Sequence, residues 1–286
     1  VIGLGMDVVL NLHEEYKAIM DMFEADNVTY PIKAFFGELL ERPRRTKAYP
    51  IALINKNINL DQLLAINNAM KYPLAYIQGP PGTGKTNTII NTIVTAFFNN
   101  VTVLFASYNN VPIDNVFEKL SSMKYRGKTI PFPVLRLGNT EKVMEAIKYI
   151  NELRTQVQSF QIFASTLDKR KDDRIDRAKR LSARLKEYEE ILDLKERKET
   201  LTHLMKYQEH MKNTMKLLPF QTDLQGYQMQ KLDKRIAAIG EISDADAMQL
   251  LDRNEDEFYQ YLFYTSARYI KAVSYTHLTL PTSDLV

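Results

Sequence analysis

The sequence predicts an α/β fold, in which a parallel sheet is flanked by helices and carries a long helical, coiled-coil-like insertion. Three short apolar runs, at residues 74–77, 101–106 and 134–137, are typical of strands that are buried on both faces. Helical apolar spacing follows the first two runs, and this alternation favours right-handed crossovers between parallel strands. From 140 to about 217 there is no Pro or Gly and the apolar positions alternate 3-4, which predicts one long helix or two joined helices.

These patterns divide the chain into four predicted segments. Residues 1–50 form a helical N-terminal segment punctuated by prolines, and residues 51–139 form the α/β core. Residues 140–273 form the helical insertion, whose outgoing half is net basic and whose returning half is net acidic, so we expect the halves to pair antiparallel. Residues 274–286 have no Lys, Arg or helical period and resemble translated adapter sequence, which indicates a non-native tail. Because the chain begins with Val1, it is interpreted as a fragment of a longer protein.

The run from Gly79 to Thr86, GPPGTGKT, matches the phosphate-binding loop pattern G-x-x-x-x-G-K-[ST] between a predicted strand and a predicted helix. Such a loop holds a polyanion with inward-pointing backbone N–H groups. Lys85 is expected to reach the β- and γ-phosphates of ATP, and Thr86 to bind Mg²⁺ with its hydroxyl. These two residues are the candidates for the chemical step. The candidate nucleotide-binding residues are Gln62, Gly79, Pro80, Pro81, Gly82, Thr83, Gly84, Lys85, Thr86 and Asn87.

Gln62 lies on a predicted helix upstream of the loop. Its side-chain amide donates and accepts in one plane, which matches the donor and acceptor on the edge of adenine. The second strand ends in Ser107, and a helix with Pro112 in its first turn follows. Small polar side chains at the carboxyl end of such a strand lie on the ligand side of a parallel sheet.

Together, Gln62, the 79–86 loop, the S-x-N-N-x-x-x-D run at 107–114 and RLGN at 136–139 resemble the first motor domain of superfamily 1 helicases. The similar branch includes the nonsense-mediated-decay RNA helicase. The resemblance implies a partial RecA-like P-loop NTPase domain. It assigns adenine to Gln62 and ATP with Mg²⁺ to the loop.

The resemblance also implies that Ser107 and Asn110 contact single-stranded RNA or DNA. Asp114 matches the acidic position of the same motif, where a structural hydrogen bond and a strand contact both stay open. This branch usually has A-V-D where residues 112–114 are Pro-Ile-Asp, so the backbone before the helix is expected to differ.

Composition excludes several classes of protein. The formal charge of +3 is too small to predict a nucleic-acid partner by itself. Without cysteine there are no disulfides or thiolate metal sites, and the four histidines show no ligand spacing. No apolar run is long enough to span a bilayer, and no secretory signal is visible, so the sequence predicts a cytoplasmic protein without a membrane partner.

Hydrolysis also needs an Asp for Mg²⁺, a residue that positions water, and arginines for the transition state. No apolar strand ending in Asp-Glu occurs in the chain, which predicts nucleotide binding with negligible turnover. The leading hypothesis is therefore the N-terminal part of a nucleic-acid-dependent ATPase or helicase. The alternatives are an AAA+ protein-remodelling ATPase with a coiled-coil arm, and a nucleotide-dependent scaffold whose arm binds protein.

Overall fold

The computed structural model describes most of the chain in seven stretches. They are residues 13–37, 48–54, 57–138, 140–160, 164–215, 222–251 and 255–278. The chain divides into two compact units. One unit contains residues 1–47 and 71–77, and the other contains 48–70 and 78–286.

The first unit contains two short helices, α1 (His13–Glu24) and α2 (Tyr30–Phe35). Pro31 lies in the first turn of α2, where its missing N–H has no helical partner to lose. The ring of Phe23 meets that of Phe36 edge to face, with centroids 6.3 Å apart. This contact packs the end of α1 against the end of α2.

Within its described residues the second unit is mostly helical and has one β-hairpin. Its elements in chain order are α3 (Leu60–Lys71), α4 (Lys85–Phe98), α5 (Asn110–Ser121), β1 (Lys124–Tyr125), β2 (Lys128–Thr129), α6 (Thr140–Gln158), α7 (Ala164–Met215), α8 (Thr222–Ile239), α9 (Asp244–Gln249) and α10 (Glu255–Leu278). The unit contains α3 up to Met70. In the hairpin, β1 and β2 pair antiparallel, with Lys124 opposite Thr129. The turn residues Arg126 and Gly127 both have positive φ, as a tight two-residue hairpin turn requires.

The predicted parallel sheet is not confirmed, because this hairpin is the only sheet within the described stretches. Residues 74–77, 101–106 and 134–137 belong to neither a helix nor a strand. At the start of the third run the backbone bonds are local, since the N–H of Phe132 donates to the carbonyl of Ile130 at 2.8 Å and the N–H of Val134 donates to the carbonyl of Phe132 at 2.9 Å.

A largely buried segment without helix or strand, residues 50–54, is held by side chains of α4 and of its C-cap, Asn99. The Thr95 hydroxyl accepts from the N–H of Ala52 at 3.1 Å and donates to its carbonyl at 3.2 Å. One turn earlier, Asn91 Oδ1 accepts from the N–H of Ile54 at 2.9 Å. One turn later, Asn99 Nδ2 donates to the carbonyl of Pro50 at 3.1 Å. Polar residues four apart on one face of α4 therefore satisfy the backbone of this segment.

Two apolar clusters hold the second unit together. The first joins α4, α5 and the hairpin to α10, through fully buried residues such as Val94, Leu120 and Leu262. The second joins residues 51–53 and α3 to α7 and α9, through residues such as Leu63 and Leu185. The helix that follows the 79–86 loop and the helix that carries Gln62 are thus each packed on a core.

The returning half of the predicted insertion is divided among α8, α9 and α10. The short α9 is capped by Ser243 in a reciprocal capping box with Asp246. The aromatic residues of α10 pack mainly on the core, where Tyr261 stacks on Phe98 with ring centroids 5.0 Å apart, and Phe258 and Tyr261 also contact Arg174 of α7. Burial of these large rings against α4 holds α10 on the core.

The outgoing half contains two helices, α6 and the 52-residue α7. The partner of α7 along its outer part is α8. Lys198 pairs with Asp233 at 2.5 Å, and Arg235 pairs with Glu190 at 2.5 Å, so the two helices run antiparallel. None of the described helices is long and apolar enough to cross a membrane.

The predicted non-native tail begins inside a helix. α10 continues to Leu278, and the Ser274 hydroxyl donates to the carbonyl of Ile270 at 2.7 Å. Extending an existing helix requires no new nucleus, so residues without helical apolar spacing can join it. Residues 279–286 lie outside the described stretches.

Candidate functional site

The 79–86 loop has the backbone that its sequence requires. Gly82 and Gly84 have φ of +83° and +78°, values that other residues rarely adopt. A Cβ at Gly79 would lie 2.8 Å from the hydroxyl oxygen of Thr83. That hydroxyl donates to the carbonyl of Pro80 at 2.8 Å, which closes the turn. The loop therefore depends on glycine both for its conformation and for space.

Lys85 begins α4 and turns back over the loop. Its Nζ donates to the carbonyls of Gly79 and Pro80, each at 2.7 Å. The ammonium therefore lies inside the curve of the loop, beside the first turn of a 14-residue helix. A helix N-terminus and an adjacent ammonium are both suited to bind an anion. A phosphate that enters the loop has to replace the two carbonyls as the hydrogen-bond acceptor of this ammonium.

Gln62 lies against the same loop. Its Nε2 donates to the carbonyl of Thr83 at 2.7 Å, and a Cβ at Gly84 would lie 2.9 Å from this nitrogen. Its Oε1 accepts from the N–H of Asn59 at 3.1 Å, and Asn59 caps the N–H of Gln62 in return. The start of α3 thus fixes the amide next to the loop.

The remaining loop candidates have different surroundings. Pro81 and Thr86 are exposed, and Thr86 occupies the second position of α4. Asn87 is half-buried, and its Oδ1 accepts from Lys119 of α5 at 3.5 Å. The Thr86 hydroxyl is thus at the surface beside Lys85, where a Mg²⁺ ligand is expected. Across the described stretches, no group of three or more His, Asp or Glu side chains is arranged to hold a metal ion.

Ser107 and Asn110 lie on either side of the start of α5. The Ser107 hydroxyl accepts from the N–H of Asn109, the residue before the helix, at 3.4 Å. Asn110 is the first helical residue, and its Oδ1 accepts from Arg136 at 2.9 Å. Arg136 also pairs with Asp114 at 2.8 Å, so Asp114 has a structural hydrogen bond. Asn139 of the RLGN run lies outside the described residues.

The long helix α7 contacts the base of α3 directly. The Tyr188 hydroxyl donates to Asp61 Oδ1 at 2.8 Å, one residue before Gln62. Burial of the phenol raises the pKa of Tyr188 to about 12, and the bond to Asp61 acts in the same direction. The N–H of Leu60 donates to Asp244 Oδ1 at 2.7 Å, so a residue of α9 caps the same helix. Contacts with α7 and α9 therefore hold the first turn of α3, which carries Gln62.

Sequence reasoning missed Arg136 as a partner of the 107–114 motif, and it missed Asp244 and Asp61 as supports of α3. Arg136 was visible only as part of the RLGN run, which begins at the end of the third predicted strand. The sequence around Asp244 gives no sign of its contact with α3, because Asp244 and its partner Leu60 are 184 positions apart. The polar spacing of residues 91, 95 and 99 was the one signal available for the side-chain contacts of α4.

A family model described as an AAA domain matches residues 57–250, about two thirds of the chain. Mouse DNA-binding protein SMUBP-2 is 34% identical over 101 residues, which are 35% of this chain and 10% of that protein. DNA polymerase alpha-associated DNA helicase A of Schizosaccharomyces pombe is 32% identical over 98 residues, 34% of this chain and 14% of the relative.

An uncharacterized ATP-dependent helicase of Methanocaldococcus jannaschii is 35% identical over 108 residues, 36% of this chain and 16% of that protein. No solved structure matches the chain. The matched part thus covers between 10% and 16% of the length of these relatives. The chain belongs to the AAA-domain family that its residues 57–250 match, and it carries a superfamily 1 helicase-like motor domain.

Proposed function

We propose that this chain is the ATP-binding part of a nucleic-acid-dependent helicase or translocase. The observation that carries the proposal is the contact between Gln62 Nε2 and the carbonyl of Thr83, at 2.7 Å. It places the Gln62 amide beside the loop suited to phosphates, and adenine would replace the Thr83 carbonyl and the Asn59 N–H as the partners of this amide. Adenine and triphosphate are the two ends of one ligand, so the pair favours ATP over a free anion.

Lys85 and Thr86 have distinct roles in this proposal. The Lys85 ammonium exchanges its two loop carbonyls for the β- and γ-phosphates, and the backbone N–H groups from Gly82 to Thr86 hold the remaining oxygens. Thr86 offers its exposed hydroxyl to Mg²⁺. When bound, Mg²⁺ neutralises charge that develops on the phosphates.

A single nucleic-acid strand is proposed to contact Ser107 and Asn110. Both side chains lie at the start of α5, where backbone N–H groups and small polar side chains suit a phosphate backbone. The names of the relatives in mouse and S. pombe mention DNA, which favours DNA as the strand. The same names favour a helicase over an AAA+ protein-remodelling ATPase.

The parallel sheet of such a motor is proposed to form in the full-length protein from residues 74–77, 101–106 and 134–137. Two apolar side chains of these runs are strongly exposed, Tyr76 at 87% and Leu104 at 88%. Apolar, β-prone runs with exposed side chains are suited to pair with further strands. We expect such further strands to supply the Asp-Glu pair that hydrolysis requires.

For the 286-residue chain itself we expect nucleotide binding with negligible turnover. The acidic pair Asp256-Glu257 begins α10, and Asp256 forms an ion pair with Arg126 at 2.9 Å. Asp256 is therefore engaged at the hairpin, and the two acidic residues lie in the first turn of a helix rather than at the end of a strand. Sustained ATP hydrolysis by the purified chain would contradict the expectation.

Nucleotide binding is tested by titrating the chain with a fluorescent ATP analogue and Mg²⁺. We expect Lys85→Ala to weaken binding by roughly tenfold or more, because a charge-assisted hydrogen bond to phosphate is lost. Lys128→Ala, on the exposed strand β2, removes the same charge and serves as the control. Equal affinity of the Lys85→Ala variant and the wild type would overturn the assigned role.

Strand dependence is tested on the full-length protein. Its ATPase rate is measured with and without single-stranded DNA and RNA of equal length. Stimulation by either strand supports the motor, and the larger stimulation identifies the preferred strand. A rate that neither strand changes would favour a nucleotide-dependent scaffold instead.

A further inference from the structure

We propose that Arg136 is a positioning residue that holds the Asn110 amide in the orientation that a nucleic-acid phosphate requires. The proposal rests on one guanidinium that is hydrogen-bonded both to Asn110 and to Asp114, and these two residues are one helical turn apart. The inference rests on the proposed function, because it concerns the strand contact of the same motif. Arg136 itself is not proposed to touch the strand.

The guanidinium of Arg136 uses three of its nitrogens. Its Nε donates to Asp114 Oδ1 at 2.8 Å, and its Nη2 donates to Asn110 Oδ1 at 2.9 Å. Its Nη1 donates to the carbonyl of Leu137. The Arg136 side chain is only 12% exposed, although that of Asp114 is 56% exposed. A planar fork held at three points is fixed in direction, unlike an exposed ion pair.

This geometry decides which end of the Asn110 amide remains for a ligand. Arg136 takes the oxygen, and so the nitrogen with its two N–H donors is the end turned away from the guanidinium. Phosphate oxygens only accept hydrogen bonds. An amide that offers its nitrogen therefore suits a phosphate, whereas a flipped amide would present its oxygen and repel it.

The same fork stabilises the first turn of α5. Asn110 and Asp114 are four residues apart and lie on one face of the helix. The residue before the helix, Asn109, makes no side-chain capping bond, so Arg136 fixes this turn from outside. The unusual Pro112 and Ile113 lie between the two contacts and leave both in place. Arg136 also offsets the charge of Asp114, which would otherwise repel a nearby phosphate.

Gly138 lies beside the fork. A Cβ at this position would lie 3.4 Å from Arg136 Nη1, which is ordinary van der Waals contact. The guanidinium folds back to the carbonyl of Leu137 while it reaches α5. The RLGN run thus has a structural role toward the 107–114 motif.

The test is a double-mutant cycle in strand binding, measured on the full-length protein by anisotropy of labelled single-stranded DNA and RNA. We expect Arg136→Gln and Asn110→Ala each to weaken binding by roughly tenfold, and the double variant to lose no more than either single one. Arg136→Lys keeps the charge without the fork and should recover little of the affinity. Asn110→Asp keeps the bond to Arg136 but removes both donors, and should bind no better than Asn110→Ala.

Two controls separate positioning from general effects. Arg126→Gln breaks another Arg-Asp pair, at 2.9 Å from Asp256, and should leave strand affinity within about twofold of the wild type. Affinity of every variant for the fluorescent ATP analogue should also stay within about twofold, which shows that the nucleotide loop is intact. A variant that merely unfolds the motor would lose both activities.

Two failures are distinguishable. Loss of affinity in Asn110→Ala with no loss in Arg136→Gln, or additive losses in the double variant, would overturn the positioning role while the proposed function stands. Absence of strand binding by the wild type, or no effect of Asn110→Ala, would overturn the strand assignment together with the role of Arg136.

Discussion

Replacement of Thr95 by Val tests how α4 holds the segment at residues 50–54. Thr95 is fully buried, and its hydroxyl bonds both the N–H and the carbonyl of Ala52, which is 1% exposed. Valine has nearly the same shape and a similar helix propensity, so the change removes two hydrogen bonds and little else. Both backbone groups of Ala52 are then left buried without this partner.

The expected loss follows from those two groups. A buried donor or acceptor without a partner costs about 1–3 kcal/mol, and the larger apolar surface of valine offsets part of it. We therefore expect the free energy of unfolding to fall by about 2–4 kcal/mol. Urea unfolding followed by circular dichroism and by tyrosine fluorescence measures this, provided that both probes and the m-value agree with the wild type.

Thr92→Val is the matched control. The Thr92 hydroxyl donates to the carbonyl of Thr88 within the same helix at 2.8 Å, and the residue is only half-buried. Removing such a bond changes stability by about 0.5 kcal/mol or less. If Thr95→Val lowers the free energy of unfolding no more than Thr92→Val does, the inference that Thr95 supports the 50–54 segment is wrong.

Two further predictions concern α7. The pKa of Tyr188 is raised to about 12, so the stability from its neutral phenol is present below about pH 10 and is lost as the pH rises from 10 to 12. Unfolding midpoints of Tyr188→Phe should thus fall less steeply in that range than those of the wild type, and parallel curves would contradict the shift. The Arg174 guanidinium lies over three aromatic rings, the nearest that of Phe98 at 4.6 Å, so Arg174→Ala should lower the free energy of unfolding by about 2–4 kcal/mol. The exposed Lys171→Ala should change it by about 0.5 kcal/mol or less, and equal losses would refute the role of the rings.

Much of the candidate site was predictable because its chemistry is local in sequence. The loop from Gly79 to Thr86 needs glycine at two positive-φ positions and a lysine at the start of a helix, and both requirements are visible in consecutive residues. The start of α5 was equally local, with Pro112 in its first turn. The role of Asp114 was not, because its partner Arg136 is 22 residues away.

The fold was predictable in its helices but not in how they associate. Absence of Pro and Gly together with apolar spacing indicated the long α7, since both are properties of the segment itself. The aromatic residues of α10 were also visible. Their packing on α4, with Arg174 of α7 beside two of the rings, depends on which surfaces bury the rings best, and no local pattern records that choice.

The sequence by itself determined the phosphate loop, the glutamine suited to adenine and the length of the helical arm. Each of these follows from backbone freedom, side-chain chemistry or helical period within one stretch of chain. The tertiary structure decided that Gln62 touches Thr83, that Arg136 holds Asn110, and that side chains of Asn91 and its neighbours one and two turns later, rather than a strand, satisfy residues 50–54. Such contacts depend on burial and on the direction of donors and acceptors between distant segments, which only the packed chain fixes.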